Sequence, residues 1–288
     1  MPTLKEIKGR IGSVQSTLKI TSAMKLVSSA KLRKAQTAIE NMRPYQQKLQ
    51  EILALASGGE TDSVSSALLR SPVRVNAPET EPVSPDTVIV AIASNSSLCG
   101  GFNANAIAKA KEVLKEHPGA TVYSVGRKMA DAMRKAGYPS PKDFSALSEH
   151  PSYAPVSELV DQFIEDGVEV ILVYNHFVST GKQVPVAEPL VSGVEEASGS
   201  EAKSCDVIIE PSKKELLEAL YPKTLKIKLF AALLDSAAAE HAARTVAMQT
   251  ATDNGEDLLA DLTLQYNKGR QQKITNEILD LAGGQSRD

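Results

Sequence analysis

A 3–4 repeat of apolar residues governs the first 56 residues and constrains the fold more than any other feature. It steps through Leu4, Ile7, Ile11, Val14, Leu18, Thr21, Lys25, Ser28, Leu32, Ala35, Ile39, Met42, Gln46, Leu49, Leu53 and Ala56, and twelve of these sixteen positions are apolar. A repeat sustained over seven heptads predicts a coiled-coil helix rather than an ordinary amphipathic one. Pro44 lies inside the run and is expected to bend it. Gly9 and Gly12 cost about 1 kcal/mol each relative to alanine, too little to break the seam.

Length then sets the architecture. About 54 helical residues rising 1.5 Å each make a rod of roughly 80 Å. A compact globule of 288 residues has a radius of gyration near ~19 Å, about 50 Å across, so such a helix is expected to project from it. The other chain end offers a partner. From Pro222, read as a first-turn residue, to about Ala282 there is no further proline, and strong helix formers dominate. Its last part is read with a heptad at Ala260, Leu264, Asn267, Gln271, Ile274, Ile278 and Leu281, stopped by Gly283 and Gly284. Gly255 and Gly269 are weak points, and Thr252–Gly255 ("TDNG") would elsewhere read as a turn. Two long helices joined through a folded middle most simply pair antiparallel.

The middle has a different texture. Residues 58–86 ("GGETDSVSS", "NAPETEPVSP") read as a linker with a short helix at Ser65–Arg70. Strand and helix patterns then alternate: strands at Thr87–Ser94, Thr121–Val125, 168–177 and 183–191, helices at Asn103–His117, 127–137 and 156–167, and "CDVIIEP" as a final strand. This alternation predicts a Rossmann-like α/β domain with a mostly parallel sheet. The expected division is 1–57 coiled-coil helix, 58–86 linker, 87–210 α/β domain and 211–288 coiled-coil helix.

Charge and composition narrow the function. Net charge is −3, but residues 1–50 carry ten Lys/Arg against two Asp/Glu. Such a basic arm suits an acidic protein partner or a phosphate backbone. The stretch Lys25–Gln36 has no aromatic side chains to stack on bases; a solvated helical face is favoured there, and acidic protein loops fit its cations equally well. Cys99 and Cys205 match no metal or redox spacing, and a reducing compartment is expected. "MPTLKEIKGR" has no apolar core of a secretory signal, and no apolar run approaches the ~20 residues that cross a bilayer. Membrane association is therefore expected only through a partner.

Candidate chemistry is sparse. "SLCGGFN" (Ser97–Asn103) lies between a strand and a helix but lacks both G-x-G-x-x-G and G-x-x-x-x-G-K-[ST]. A tight turn is preferred over a nucleotide site. His117, His150, His176 and His241 are scattered without metal-ligand spacing, and no nucleophile elbow occurs. No catalytic, cofactor or metal residues are assigned.

Three stretches taken together carry a resemblance. "ITSAMKLVSSAKLRKAQ" (Ile20–Gln36), "LCGGFN" (Leu98–Asn103) and "EHAARTVAMQTATDNGEDLLADLTLQYNKGRQQKIT" (Glu240–Thr275) closely resemble the gamma subunit family of F-type ATP synthase. The match runs in order along essentially the whole chain. It implies a central rotor shaft, non-catalytic itself, turning inside three alpha and three beta subunits, with epsilon and the c-subunit ring at its foot. Before "LCGG" the family often shows an acidic residue, a basic residue and glycine, where this chain has "SNSS". The chloroplast regulatory insertion is not evident, and a bacterial member on the cytoplasmic face of the cell membrane is implied.

Carried over residue by residue, the resemblance implies beta-subunit contact at Met24 and the adjoining Lys25, and at Arg270, Gln271 and Thr275. Ile274, Ile278 and Leu281 would run in an apolar bearing. Gln271 is poor glue for a two-helix coil, but it suits a helix that has outrun its mate and faces a third protein. Arg270 offers a planar fork of donors to an acidic or carbonyl-rich loop. The rival readings are a coiled-coil adaptor unrelated to energy conversion and a small-molecule enzyme using the α/β domain.

Overall fold

A computed structural model describes residues 3–57, 87–190 and 212–284. The elements are α1 (Leu4–Ser57), β1 (Thr87–Ile92), α2 (Phe102–Glu116), β2 (Thr121–Val125), α3 (Arg127–Lys135), α4 (Ser145–Glu149), α5 (Tyr153–Asp166), β3 (Glu169–Ser179), β4 (Lys182–Pro189) and α6 (Lys213–Gly284). The linker with its short helix at 65–70 and the "CDVIIEP" strand lie outside the described residues.

Local chemistry starts both long helices. Thr3 and Glu6 form a reciprocal capping box: Thr3 N donates to Glu6 Oε2 at 2.9 Å, and Glu6 N donates to Thr3 Oγ1 at 3.3 Å. Ser212 and Glu215 repeat the spacing, with Glu215 N donating to Ser212 Oγ at 3.3 Å. That cap starts α6 at Lys213, within the expected 211–288 segment, and leaves Pro222 inside the helix, which corrects its reading as a first-turn residue. The Ser-x-x-Glu signal outweighed the proline. α1 likewise runs through Pro44 without a break.

The chain divides into two compact units, residues 1–29 with 244–288 and residues 30–243. In the first, α1 and α6 pair antiparallel. A Cβ at Gly269 would lie 3.1 Å from Leu4 Cδ2, and one at Gly255 would lie 2.7 Å from Leu18 Cδ2. Thr252 Oγ1 donates to Thr21 Oγ1 at 3.0 Å. Each step along α1 between these contacts is matched by an equal and opposite step along α6. Every seam position predicted on α1 from Leu4 to Leu53 is buried or half-buried.

The α6 register differs from expectation. Ala260, Leu264, Asn267, Gln271, Ile274 and Ile278 are all exposed, while Met248, Thr252, Gly255, Leu259, Leu262, Tyr266 and Gly269 are buried or half-buried. These also repeat at 4–3 spacing. Two glycines and a threonine occupy this seam in place of leucines, so a count of apolar residues favours a different face of α6. "TDNG" is helical throughout, because its threonine and glycine pack against α1.

The second unit holds a four-stranded sheet in the order β2-β1-β3-β4. β1 pairs parallel with β2 and β3, and β3 pairs antiparallel with β4. β1 is apolar and buried from Val88 to Ile92, as suits a strand covered on both faces. Val88, Val90 and Ile92 pack with α5 residues such as Leu159 and Phe163 and with Leu225, Leu229 and Leu233 of α6. Ile89, Ala91 and Ala93 pack against α2 and α3 through Ala106, Ala110, Met129 and Met133.

Candidate partner interface on the paired helices

The contact at Gly269 places the start of α1 beside that residue, because Leu4 is the first residue of α1. α6 continues to Gly284, and Gln271 to Asp280 are all exposed. Arg270 is exposed too, and no hydrogen bond or ion pair joins its side chain or that of Gln271 to another described residue. Thr275 Oγ1 donates back to Gln271 O at 3.0 Å. Ile274 and Ile278 are 48% and 59% exposed, far more than packed seam residues. The side chain of Leu281 lies outside the described residues.

These sites do not converge with Met24 and Lys25. Lys25 is four residues past Thr21, level with Met248 four residues before Thr252. Lys25 is itself a half-buried seam position, and Met24 is half-buried next to it. From Met248 to Arg270 the helix rises about 33 Å at 1.5 Å per residue. The candidate contacts therefore form two levels on one paired unit: a half-buried level at Met24–Lys25 and a bare tip at Arg270–Ile278. Lys31, Arg33 and Lys34 of the basic stretch are exposed.

In the second unit, the turn after β1 is closed on itself. Ser94 N donates to Asn103 Oδ1 at 3.1 Å, and Asn103 Nδ2 donates to Ser96 O at 3.2 Å and lies 3.1 Å from Cys99 Sγ. Leu98 and Gly100 take positive φ values of 66° and 58° to complete the bend. Ligands of doubly wound sheets sit beyond the carboxyl ends of the strands where strand order reverses. Here that place lies beyond β1 and β3. It is filled by Cys99, Phe102 and Phe177 packed on Ala239 and Ala243 of α6. Asn175 Nδ2, buried, donates to Phe102 O at 3.0 Å and closes it further. The hydrogen bonds support the tight-turn reading of "SLCGGFN".

Residues that hold α6 to the sheet and to α5 escaped the sequence. Asp235 accepts from Phe177 N at 3.2 Å through Oδ1, and its Oδ2 lies 2.5 Å from His176 Nδ1. Burial raises the Asp235 carboxyl above the ordinary carboxylate range, opposed by His176, the Phe177 amide and Arg43 of α1. Lys226 Nζ reaches Asp161 at 2.8 Å, and Lys228 Nζ donates to Pro189 O at 2.7 Å. No sequence pattern signals these pairs. The α6 seam did leave one signal: Gly255 and Gly269 are two heptads apart.

The geometry defines a class: a chain with an antiparallel helical pair whose α6 tip is exposed, and an α/β unit whose turn after β1 is hydrogen-bonded on itself. Comparison with known proteins gives the family. The pattern of the family described as "ATP synthase" matches residues 3–286. The "ATP synthase gamma chain" of Phocaeicola vulgatus is 45% identical, with 99% of each chain covered. That of Pelotomaculum thermopropionicum is 37% identical over 99% of this chain and 98% of its own. The chain belongs to the ATP synthase gamma-chain family. A solved central stalk from the Tetrahymena thermophila mitochondrial ATP synthase shares the fold, with a TM-score of 0.53 over 81% of this chain and 99% of its own, at 21% identity.

Proposed function

We infer that this chain is the central rotor shaft of an F-type ATP synthase. It couples ion flow through the membrane sector to ATP synthesis or hydrolysis in a ring of three alpha and three beta subunits. It makes and breaks no bonds itself. The observation that carries this reading is the tip of α6, where Arg270 to Asp280 stay exposed beyond the start of α1 although Ile274, Ile278 and Leu279 are large apolar residues. Such residues are expected to be covered when the chain is assembled.

One asymmetric shaft meets three equivalent catalytic subunits, so each faces a different surface. Differential contact with conformers is the requirement for coupling, and rotation changes which subunit receives which contact. Arg270, Gln271 and Thr275 would hold a beta-subunit loop, Met24 and Lys25 would meet a beta subunit at the lower level, and Ile274, Ile278 and Leu281 would turn in an apolar sleeve. Residues 1–57 and 211–288 serve as shaft, and 87–210, reached through the 58–86 linker, as a foot for epsilon and the c-subunit ring. Among the described residues no helix is long and apolar enough to cross a membrane. Membrane attachment then comes through the complex, on the cytoplasmic face of a bacterial cell. Arg270→Glu in a reconstituted complex should weaken assembly or coupling, and undiminished ion-driven ATP synthesis would refute the assigned grip.

A further inference from the structure

We propose that three contacts in the helical pair form a register lock: Leu4 on Gly269, Leu18 on Gly255, and the hydroxyls of Thr21 and Thr252. A pair bearing torsional load has a soft mode in which one helix slides past the other. A plain heptad seam resists this poorly, because a shift of one heptad restores apolar-to-apolar contact. This seam is not plain. In the observed register two leucines pack over glycines: a Cβ at Gly255 would overlap Leu18 Cδ2 at 2.7 Å, and one at Gly269 would press on Leu4 Cδ2 at 3.1 Å, a contact that a small shift relieves. The buried hydroxyls meet directly at 3.0 Å, with Thr21 donating on to Leu18 O at 3.1 Å.

A one-heptad shift loses all three contacts at once. In one direction Leu18 meets Met248 and Thr252 meets Val14. In the other, Leu18 meets Leu262 and Thr21 meets Leu259. Both crowd a leucine against a large neighbour and set a hydroxyl against hydrocarbon. Thr252 has one hydroxyl proton, shared between Thr21 Oγ1 at 3.0 Å and Met248 O at 2.8 Å, so back-bonding to its own helix alone still satisfies it after a shift. The shifted state therefore loses the hydroxyl pair and its packing rather than stranding a donor. These six are positioning residues: they fix how far the Arg270 tip extends past α1. That consequence rests on the rotor reading, but the register itself is a property of the chain alone.

The test uses the full-length chain without partner subunits, so its outcome is independent of the rotor assignment. Ile7→Cys with Tyr266→Cys reports the observed register, and Ile7→Cys with Leu259→Cys reports a one-heptad shift of roughly 10 Å. Peptide mapping distinguishes either bridge from one involving Cys99 or Cys205. With the lock intact, mild oxidation should bridge the first pair at least about tenfold more than the second, a ratio that loss of a packing contact and a hydrogen bond would erase. Adding Gly255→Leu, Thr21→Val and Thr252→Val should bring the two yields toward parity. Retention of the original ratio would overturn the proposal. Thr21→Ser with Thr252→Ser keeps the hydroxyls and both gaps, so it should keep the ratio. Loss of the ratio there would mean that general loosening, not the lock, governs register.

Discussion

Asp235 of α6 grips two consecutive residues of β3, its Oδ2 lying 2.5 Å from His176 Nδ1 and its Oδ1 accepting from Phe177 N at 3.2 Å. Arg43 of α1 adds its charge, and Tyr174, whose hydroxyl donates to Glu188 Oε1 at 3.1 Å, lies close enough to feel the carboxylate. Burial is the largest influence and raises the carboxyl above 3.8. A raised folded value means that folding takes up a proton between the unfolded and folded values. The stability linked to that proton is fully present below the unfolded value and is lost as pH rises through the folded one. Relative to Asp235→Asn, the natural chain should gain stability as pH falls through that window. Urea unfolding of both chains at neutral pH and at about pH 4, near the ordinary carboxylate value, would show it; a difference independent of pH would refute the assignment.

Gly126 should tolerate no side chain. Its φ is +95°, and a Cβ there would lie 2.2 Å from Ala93 O and 2.9 Å from Ala93 C. Those are backbone atoms of the turn that follows β1, and Ala93 N also donates to Val125 O at 2.9 Å. Nothing flexible can yield. Gly126→Ala should cost about 3 kcal/mol or more through combined overpacking and strain, measured as a drop in the urea midpoint of the sheet-containing unit. A midpoint within experimental error of the natural chain would contradict it.

Gly269 and Gly255 should respond differently to alanine, although both are helical. Removing a helix-interior glycine gains about 1 kcal/mol in propensity. At Gly269 the opposing contact is 3.1 Å to the end of Leu4, the first residue of α1, where a small shift is easy. Propensity should win, and Gly269→Ala should stabilise by up to about 1 kcal/mol. At Gly255 the contact is 2.7 Å, with Leu18 Cγ also at 3.3 Å, well inside α1. Repacking there offsets the gain, so Gly255→Ala should be neutral or destabilising by about 1 kcal/mol. Thermal unfolding of the two single variants tests the order, which should not reverse.

Much of this was legible in the residues, and the failures share a cause. α1 was readable because its seam is filled by large apolar side chains, and period 3.5 is visible whenever the knobs are large. The α6 seam is built partly of holes. Gly255, Gly269 and Thr252 receive knobs from the partner, so a count of apolar residues selected the exposed set around Leu264, Ile274 and Ile278. The same exposed set contains the tip residues, which the amides and cations of "YNKGRQQKIT" did mark. Pro222 is a strong local cue for a first turn, but Ser212 and Glu215 set the first turn of α6, inside the 211–288 segment expected for that helix. The Asp235, Lys226 and Lys228 anchors are long-range pairs between elements, and a single sequence carries no trace of them.

The tip separates stability from coupling. Arg270 and Ile278 are exposed, and neither touches α1 in a way that its loss would leave a cavity. Exposed positions of this kind usually change stability by less than about 0.5 kcal/mol. Arg270→Ala and Ile278→Ser should therefore leave the unfolding midpoint of the isolated chain unchanged. On the proposed rotor reading the same substitutions should act in a reconstituted complex, because Arg270 would lose a charged hydrogen bond to a beta subunit and Ile278 would lose buried area. A charge-assisted bond contributes about 1.5–3 kcal/mol, so Arg270→Ala should lower ion-driven ATP synthesis by roughly tenfold or more while the chain stays folded. Should both variants unfold the isolated chain, the tip would be structural. Should neither alter the complex, the sleeve and the grip would lie elsewhere on α6.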